Sequence, residues 1–533
     1  MPENEPILDY FEGSKERIAL DKELKRQMSE KIEIPLIIGG KEIRSGNIDK
    51  VRMPHNHSHI LAEYHKAGEK EINMAIEAAV NAHEIWSNLA WTVRAAIMMK
   101  AAELISTKYR AVMNAATMLG QSKNIYQSEI DAVCETADFL RFNVYFAGKI
   151  YETQPNSMKN QINTLEYRAL EGFVFAVSPF NFTSIASNLN MAPAMMGNTT
   201  VWKPATTALL SNYYLMKIFI EAGLPDGVVN FIPGSGALIG KTVMASKDLA
   251  GVHFTGSNNT FNGLWSSAAN NLPNYKSYPR LVGETGGKDF IFVHPSADPL
   301  EVATNAVRGA FEFQGQKCSA ASRMYVPKSI WSEIKTLMTG MLSEIKPGDV
   351  TNAKNFLNAV IDEASYNSIS EYIKYAQSAK DAEIVAGGTF DKSTGYFISP
   401  TVIETSNPHF KTMEEEIFGP VLTVYAYDDK DLEKTIELCN TTSPYALTGA
   451  VFSRDRIAAS EICSKLRYAA GNFYINDKPT GAMVGMQPFG GARGSGTNDK
   501  AGGEFNLIRW VSPRTIKETF VPATDYKYPY MNG

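Results

Sequence analysis

Cys318 sits in the run Phe313-Gln314-Gly315-Gln316-Lys317-Cys318-Ser319, a glycine-flanked thiol between a lysine and a serine. A thiolate attacks carbonyls readily, and a nearby positive charge or helix N-terminus enlarges its reactive fraction. A single cysteine is more often a small core hydrophobe, so its neighbours in the chain must decide. Upstream, Gly283-Glu284-Thr285-Gly286-Gly287-Lys288 puts a carboxylate before a Gly-Gly turn, where Glu284 could act as a general base. Further upstream, Ser178-Pro179-Phe180-Asn181-Phe182 follows the apolar run Phe173 to Val177 and places the Asn181 amide where strand gives way to loop. Such an amide could donate to a developing oxyanion, an interaction worth about 3 kcal/mol in acyl transfer. Taken singly, Asn181 reads as a turn former and Glu284 as a surface carboxylate. Together, nucleophile, base and oxyanion donor are the minimum for acyl chemistry through a thioester, and all three fall at Gly/Pro-punctuated turns.

The elements that must position them divide into two patterns. Between residues 70 and 120, Ile72, Ile76 and Ala79, then Ile97, Ala101 and Leu104, recur at helical spacing and predict packed helices. From residue 173, short apolar runs (Phe173 to Val177, Thr199 to Lys203, Val228 to Ile232, Val252 to Phe254) alternate with helical stretches, which predicts an α/β architecture with a parallel sheet and crossover helices. Ala222-Gly223-Leu224-Pro225 supplies the helix stop before the third strand. Doubly wound sheets bind nucleotides at the carboxyl ends of their strands. At the third such end stands Gly234-Ser235-Gly236-Ala237-Leu238-Ile239-Gly240, one residue longer than the ordinary dinucleotide fingerprint and weak evidence alone. At the fourth, Thr255-Gly256-Ser257 could offer N–H groups and a hydroxyl to a pyrophosphate. Ile150 to Leu170 reads as a hairpin around Pro155-Asn156-Ser157, Thr515 to Pro522 as a strand, and Lys15 to Glu33 as a solvated helix.

Composition bounds the class. A chain of 533 residues, 44% hydrophobic, can bury large cores and has the length of two or three structural units. A net charge of −5 with scattered Lys and Arg gives no nucleic-acid surface. The four cysteines, Cys134, Cys318, Cys439 and Cys463, form no CxxC pair, so neither a disulfide framework nor a metal site is expected. The acidic start Met1-Pro2-Glu3-Asn4-Glu5-Pro6 resembles neither a signal nor a transit peptide, and no run of about 18 apolar residues suggests a membrane span. A cytoplasmic protein is expected, or a mitochondrial matrix protein lacking its presequence if the source is eukaryotic.

The ordered set Ser178-Pro179-Phe180-Asn181, Trp202-Lys203-Pro204, Phe254-Thr255-Gly256-Ser257, Glu284-Thr285-Gly286-Gly287-Lys288, Gly315-Gln316-Lys317-Cys318 and Glu415-Glu416-Ile417-Phe418-Gly419-Pro420 resembles the aldehyde dehydrogenase superfamily from about residue 35 onward. The resemblance implies that family's fold: a Rossmann-like NAD-binding domain (1–148 and 171–284), an α/β catalytic domain (285–504) and a small β oligomerisation flap (149–170 and 505–533). It implies a homodimer or higher homo-oligomer, and roles for Cys318 as nucleophile, Glu284 as hydrolytic base and Asn181 as oxyanion donor. The branch that passes its acyl group to coenzyme A typically lacks the base, so Glu284 favours release of a free acid. NAD is the implied cofactor, held by Ser178, Lys203, Gly236, Gly256, Ser257, Glu416 and Phe418. Thr206 stands near the place where many NAD-preferring relatives carry a glutamate, which leaves NADP open.

Within the family, Gly315-Gln316-Lys317-Cys318-Ser319-Ala320, Gly471-Asn472-Phe473-Tyr474-Ile475-Asn476-Asp477-Lys478 and Gln487-Pro488-Phe489-Gly490-Gly491 are similar to the branch that oxidises L-glutamate γ-semialdehyde to glutamate, the second step of proline catabolism. That similarity implies a substrate site in which Ser319 and the backbone of Gly481 and Ala482 hold the carboxylate. Phe182 and Phe489 would flank the chain, and Glu135 would be the pocket glutamate, with Arg141-Phe142-Asn143 matching beside it. Relatives often have Ser where this chain has Ala482; a backbone donor survives the change and a hydroxyl does not. A functional link to a proline dehydrogenase follows from the same reading. The alternatives are an NAD(P)-dependent dehydrogenase for another semialdehyde, a Cys-dependent hydrolase without redox role, and a non-catalytic protein keeping the fold.

Overall fold

A computed structural model describes residues 1–532. Its first sheet is built from β1 (Phe173–Val177), β2 (Thr199–Lys203), β3 (Val229–Phe231), β4 (Leu249–Thr255) and β5 (Arg280–Glu284), all parallel, in the order β5-β4-β1-β2-β3. Leu36–Ile38 and Lys41–Ile43 extend it antiparallel beyond β3. β4 is buried along its whole length, as expected of a strand covered by helices on both faces. The order reverses between β1 and β4, which opens a crevice at their carboxyl ends. The apolar runs read as strands are these strands, shifted by at most a few residues. The helix before β3 ends at Glu221, with Gly223 at φ +96°.

The second sheet contains β6 (Asp289–Val293), β7 (Ala321–Pro327), β8 (Thr401–Thr405), β9 (Val421–Tyr427), β10 (Thr448–Phe452) and β11 (Asn472–Ile475). Its order is Ala382–Ala386, then β8-β9-β7-β6-β10-β11, parallel except for the first pair. Residues 285–288 alone join the two sheets, so Glu284 ends one sheet and Asp289 begins the other. A large apolar core packs the N-terminal helices against one face of the first sheet, and separate cores lie on the faces of the second.

The helices read from residues 70 to 120 are Glu69–Asn88, Trp91–Ser106 and Arg110–Gln121, with Ile72, Ala79, Ala101 and Leu104 buried. Two expectations are corrected. Ile150 to Leu170 is no hairpin: the helix Thr136–Glu152 runs past its first residues, and Gln161–Ala169 pairs with the distant Val511–Thr519, Ala169 opposite Val511 and Gln161 opposite Thr519. The helix Lys15–Ser29 is not simply solvated either, since Leu20 and Leu24, one turn apart, are fully enclosed. The two-stranded arm is largely exposed, and Gly533 of the 505–533 segment lies outside the described residues.

A buried ion pair fixes how the first sheet meets its neighbours. Between Ile125–Ser128 and Thr136–Glu152 the chain makes a π-helical stretch, Glu129–Glu135, a deviation that often marks a functional site. It aims Asp131 at the first turn of the helix Thr183–Met195. There Asp131 accepts from the amides of Thr183 (3.0 Å) and Ser184 (2.8 Å) and from Lys123 Nζ at 2.6 Å. Lys123 and Asp131 are both buried, and the Lys123 ammonium also lies 4.1 Å from the Phe182 ring centroid. A carboxylate at a helix N-terminus with a matched cation neutralises charges that would otherwise be costly to bury. Asp131→Ala leaves the Lys123 charge stranded and is expected to cost about 3–5 kcal/mol. Urea unfolding with an unchanged m value would check this.

Candidate active site

Cys318 lies on the turn that follows the helix Pro299–Phe311. There Phe313 (φ 51°), Gln314 (φ 55°) and Gly315 (φ 66°) are consecutive left-handed residues, and only the last is glycine. A side chain at Gly315 would bring a Cβ to 2.3 Å from the Gly419 carbonyl oxygen. Two glutamine side chains hold the turn open. Gln314 Nε2 donates to the carbonyls of Ser122 (2.8 Å) and Ala359 (2.7 Å), and its oxygen accepts from Asn358 N. The Gln316 side-chain oxygen accepts from Ile361 N at 2.9 Å. The Asn181 amide donates to the Gln316 carbonyl at 3.1 Å, which brings it to the Cys318 loop with one hydrogen still to give.

Cys318 and Glu284 line one cavity of about 240 Å³. Its wall includes Glu135, Phe182, Ser319, Gly481, Ala482 and Phe489, so every residue assigned to substrate by resemblance faces the same space as Cys318 and Glu284. Ser319 Oγ is 2.7 Å from Thr480 Oγ1. The Glu135 carboxylate accepts from Ser184 Oγ at 2.9 Å. Asn181, buried, stands behind the lining rather than in it.

Charge in the site is arranged by burial. Glu284 is raised well above the ordinary carboxylate range by burial, offset in part by the Gly491 amide at 3.2 Å and by Lys500. Glu135 is pushed up to about 8 by burial and by Asp131. Burial, with Asp289, Glu284 and Glu416 around it, raises the Cys318 thiol, so the resting thiol keeps its proton. The neighbouring lysine does not offset this: Lys317 Nζ pairs with Glu312 Oε2 at 3.1 Å, which takes away the activating role its position suggested.

The crevice of the first sheet carries the features expected for a dinucleotide. Gly236 opens the helix Gly236–Met244 behind the N-cap Ser235, and Ser257 caps Asn258–Asn271, accepting from Thr260 N at 3.3 Å. Two helix N-termini thus sit at the carboxyl ends of β3 and β4, as anion binding requires. Gly256 N donates to the Glu284 carbonyl at 3.2 Å, tying that turn to the base. Lys203 ends β2 beside Gly236, its ammonium lowered by burial alone with no carboxylate facing it, a cation suited to sugar hydroxyls. Glu416 accepts from Gly287 N at 3.0 Å, and a Cβ on Gly286 would lie 2.1 Å from its carboxylate, so the carboxylate needs the bare backbone beneath it. Phe418, at φ 57°, meets Phe180 edge to face at 5.7 Å. The Ser178 hydroxyl is turned inward, accepting from Trp202 Nε1 at 2.9 Å. These residues fit NAD. Among the described residues no cluster of metal ligands occurs, and no helix is long and apolar enough to cross a membrane.

Sequence reasoning missed the buried charges under the thiol. Lys288 Nζ is enclosed without a hydrogen-bond partner and drawn down to about 7 by burial, while Asp289, accepting from Thr448 N at 2.6 Å, is pushed up to about 8. Lys288 closes a quoted motif, but only the sheet crossing shows that it turns inward.

Comparison with known proteins gives concordant results. The aldehyde dehydrogenase family model matches residues 44–516. The chain is 50% identical over 533 residues to the mitochondrial Δ1-pyrroline-5-carboxylate dehydrogenase of Dictyostelium discoideum, covering 99% of this chain and 96% of that protein. Its structure is similar to that of the Mycobacterium tuberculosis Δ-pyrroline-5-carboxylate dehydrogenase bound with NAD, with TM-score 0.96, 47% identity, and 100% of this chain and 98% of that one covered. It also superposes on proline utilization A of Bdellovibrio bacteriovorus with TM-score 0.93 and 30% identity, where 98% of this chain covers only 54% of that one.

A base held above the ordinary carboxylate range cannot take a proton from water once it is itself protonated. Turnover with an aldehyde substrate is therefore expected to fall toward acid pH along a limb displaced upward from that of a free carboxylate. A kcat profile from about pH 5.5 to 9 checks it, and a profile flat down to about pH 5.5, as a carboxylate near the ordinary glutamate value of about 4.3 would give, would contradict it.

Proposed function

The chain belongs to the aldehyde dehydrogenase family, and from that premise we propose that it oxidises L-glutamate γ-semialdehyde, the open form of Δ1-pyrroline-5-carboxylate, to L-glutamate with NAD. The observation that carries the reading is the shared cavity, where a thiol, a raised carboxylate and a polar backbone loop face a space sized for a small bifunctional aldehyde. In this reading residues 1–148 and 171–284 serve the cofactor and residues 285–504 the chemistry.

Substrate enters with its carboxylate toward Ser319 and the backbone N–H groups of Gly481 and Ala482. Phe182 and Phe489 exclude water from its methylene chain, and Glu135 supplies the polar partner on the helical side. The Cys318 proton passes by way of Glu284 to solvent, which leaves Glu284 free for the later step, and Sγ attacks the aldehyde carbon. The free hydrogen of the Asn181 amide and the Cys318 backbone N–H stabilise the oxyanion, each such donor commonly contributing about 3 kcal/mol. NAD, when bound, supplies the acceptor for the hydride leaving that carbon. Lys203 and Glu416 would hold the two riboses and the turns at Gly236 and Gly256-Ser257 the phosphates, with Ser178 and Phe418 as further cofactor contacts. Glu284 then takes a proton from water, which opens the thioester and frees Cys318.

The exposed arm of Gln161–Ala169 and Val511–Thr519 is read as a contact for a second copy of the chain, giving a homodimer or larger assembly. In proline utilization A the matching part occupies 54% of the chain. The remainder of a protein named for using proline is room for the reaction that feeds this one, so we read a proline dehydrogenase as the functional partner.

NADH formation measured with L-glutamate γ-semialdehyde, succinate semialdehyde and propanal, each with NAD and NADP, tests the reading. The expected result is at least a tenfold higher kcat/KM for the first substrate with NAD, and loss of NADH formation in Cys318→Ala with NAD binding retained. A preference for another aldehyde would discard the substrate assignment, and normal turnover by Cys318→Ala would discard the mechanism.

A further inference from the structure

Residues 4–10 belong to neither sheet, yet two of them reach the cavity that holds Cys318. Glu5 and Ile7 line it, together with Gly481, Ala482 and Phe489. The segment is tied down at several points. Leu8 N and Tyr10 Oη donate to the two oxygens of Glu129 (3.1 and 2.7 Å), at the start of the π-helical stretch. The Glu5 carboxylate pairs with Arg110 at 2.7 Å and Arg141 at 2.8 Å, and the Pro6 carbonyl accepts from Arg110 at 2.7 Å.

Asn4 makes the connection that matters for substrate. Its single amide nitrogen donates to Asp138 Oδ2 and to the Val484 carbonyl, both at 2.8 Å. Glu5 N donates to the other oxygen of Asp138 at 2.7 Å, so the strap engages both oxygens of that carboxylate. Asp138 sits about one helical turn beyond Glu135, and Val484 follows directly on the loop Thr480–Met483. One side chain therefore bridges the helix that carries the pocket glutamate and the loop whose backbone faces the cavity.

We infer that the N-terminal strap is a substrate-selecting wall, and that Asn4 is a positioning residue which fixes the Gly481-Ala482 backbone at the distance from Glu135 that an amino-acid semialdehyde requires. This rests on the proposed reading of that loop as the carboxylate site. The strap's hydrogen bonds and ion pairs go to Arg110, Glu129, Asp138, Arg141 and Val484 and not to Cys318 or Glu284, so it governs which aldehyde is held and not the rate at which a bound one reacts. Its polar anchoring also explains why this loop can select without the hydroxyl absent at Ala482: the donors are backbone groups, and their placement depends on what pins the backbone.

The experiment compares full-length wild type, Asn4→Asp and Ile7→Ala. Asn4→Asp keeps the shape and replaces the shared donor by an acceptor facing two acceptors. Ile7→Ala trims a wall residue that is over a third exposed, so its fold is not at stake. For Asn4→Asp, KM for glutamate γ-semialdehyde is expected to rise about tenfold with kcat within about twofold, while both constants for propanal stay within about twofold. For Ile7→Ala, kcat/KM for hexanal should rise relative to that for glutamate γ-semialdehyde. Equal effects on both substrates, or none in either variant, would overturn the proposal while leaving the proposed function standing. A wild type that prefers another aldehyde would overturn both together. Should Asn4→Asp fail to fold, Ile7→Ala decides alone: unchanged discrimination against hexanal overturns the wall.

Discussion

The site depends on a turn that the chain does not adopt willingly. Phe313 and Gln314 are held in the left-handed region, where a residue with a side chain costs of order 1–3 kcal/mol. What keeps them there is hydrogen bonding from far along the sequence: Gln314 to Ser122, Asn358 and Ala359, Gln316 to Ile361, and Asn181 to the Gln316 carbonyl. These partners come from the N-terminal helices, the first sheet and the segment preceding Glu363–Ser378. The thiol is thus placed by agreement among several parts of the molecule, and the strain is the consequence of presenting Cys318 at the junction of two sheets.

The same junction explains the electrostatics. Because only residues 285–288 separate the sheets, Glu284, Lys288, Asp289 and Cys318 are forced into one poorly solvated volume, with Glu416 beside them. Burial raises the acids and lowers Lys288, which favours the less charged forms of these groups in the resting site. Acid–base catalysis needs groups whose protons move readily, and in the proposed mechanism the Cys318 nucleophile is made when substrate is present rather than kept as a standing thiolate. Glu312, by contrast, is drawn down to about 2 by Lys317 and Lys478, which marks it as a structural anion.

Much of this was legible in the residues themselves. The apolar runs from Phe173 to Phe254 are strands because their alternation with helical stretches is strong and local, and Cys318, Glu284 and Asn181 stand at turns that Gly and Pro announce. The pocket residues could be named only through resemblance, yet they do converge on one cavity. What was not legible depends on contacts between distant segments. The left-handed Phe313 and Gln314 follow no local rule, since only Gly315 signals a turn. The pairing of Gln161–Ala169 with Val511–Thr519 spans most of the chain, so a local hairpin was the natural misreading. The Lys123–Asp131 pair joins residues that look like ordinary surface charges until the π-helical stretch turns Asp131 inward.

In the proposed mechanism the thiol held in this cavity carries the substrate as a thioester that Glu284 opens. Acid-quenched mass spectrometry of Glu284→Gln, mixed with NAD and L-glutamate γ-semialdehyde, tests it most directly. The account predicts a glutamyl adduct on the peptide containing Cys318, accumulating together with one equivalent of NADH per site. Continued turnover with no adduct, or an adduct on another residue, would contradict it.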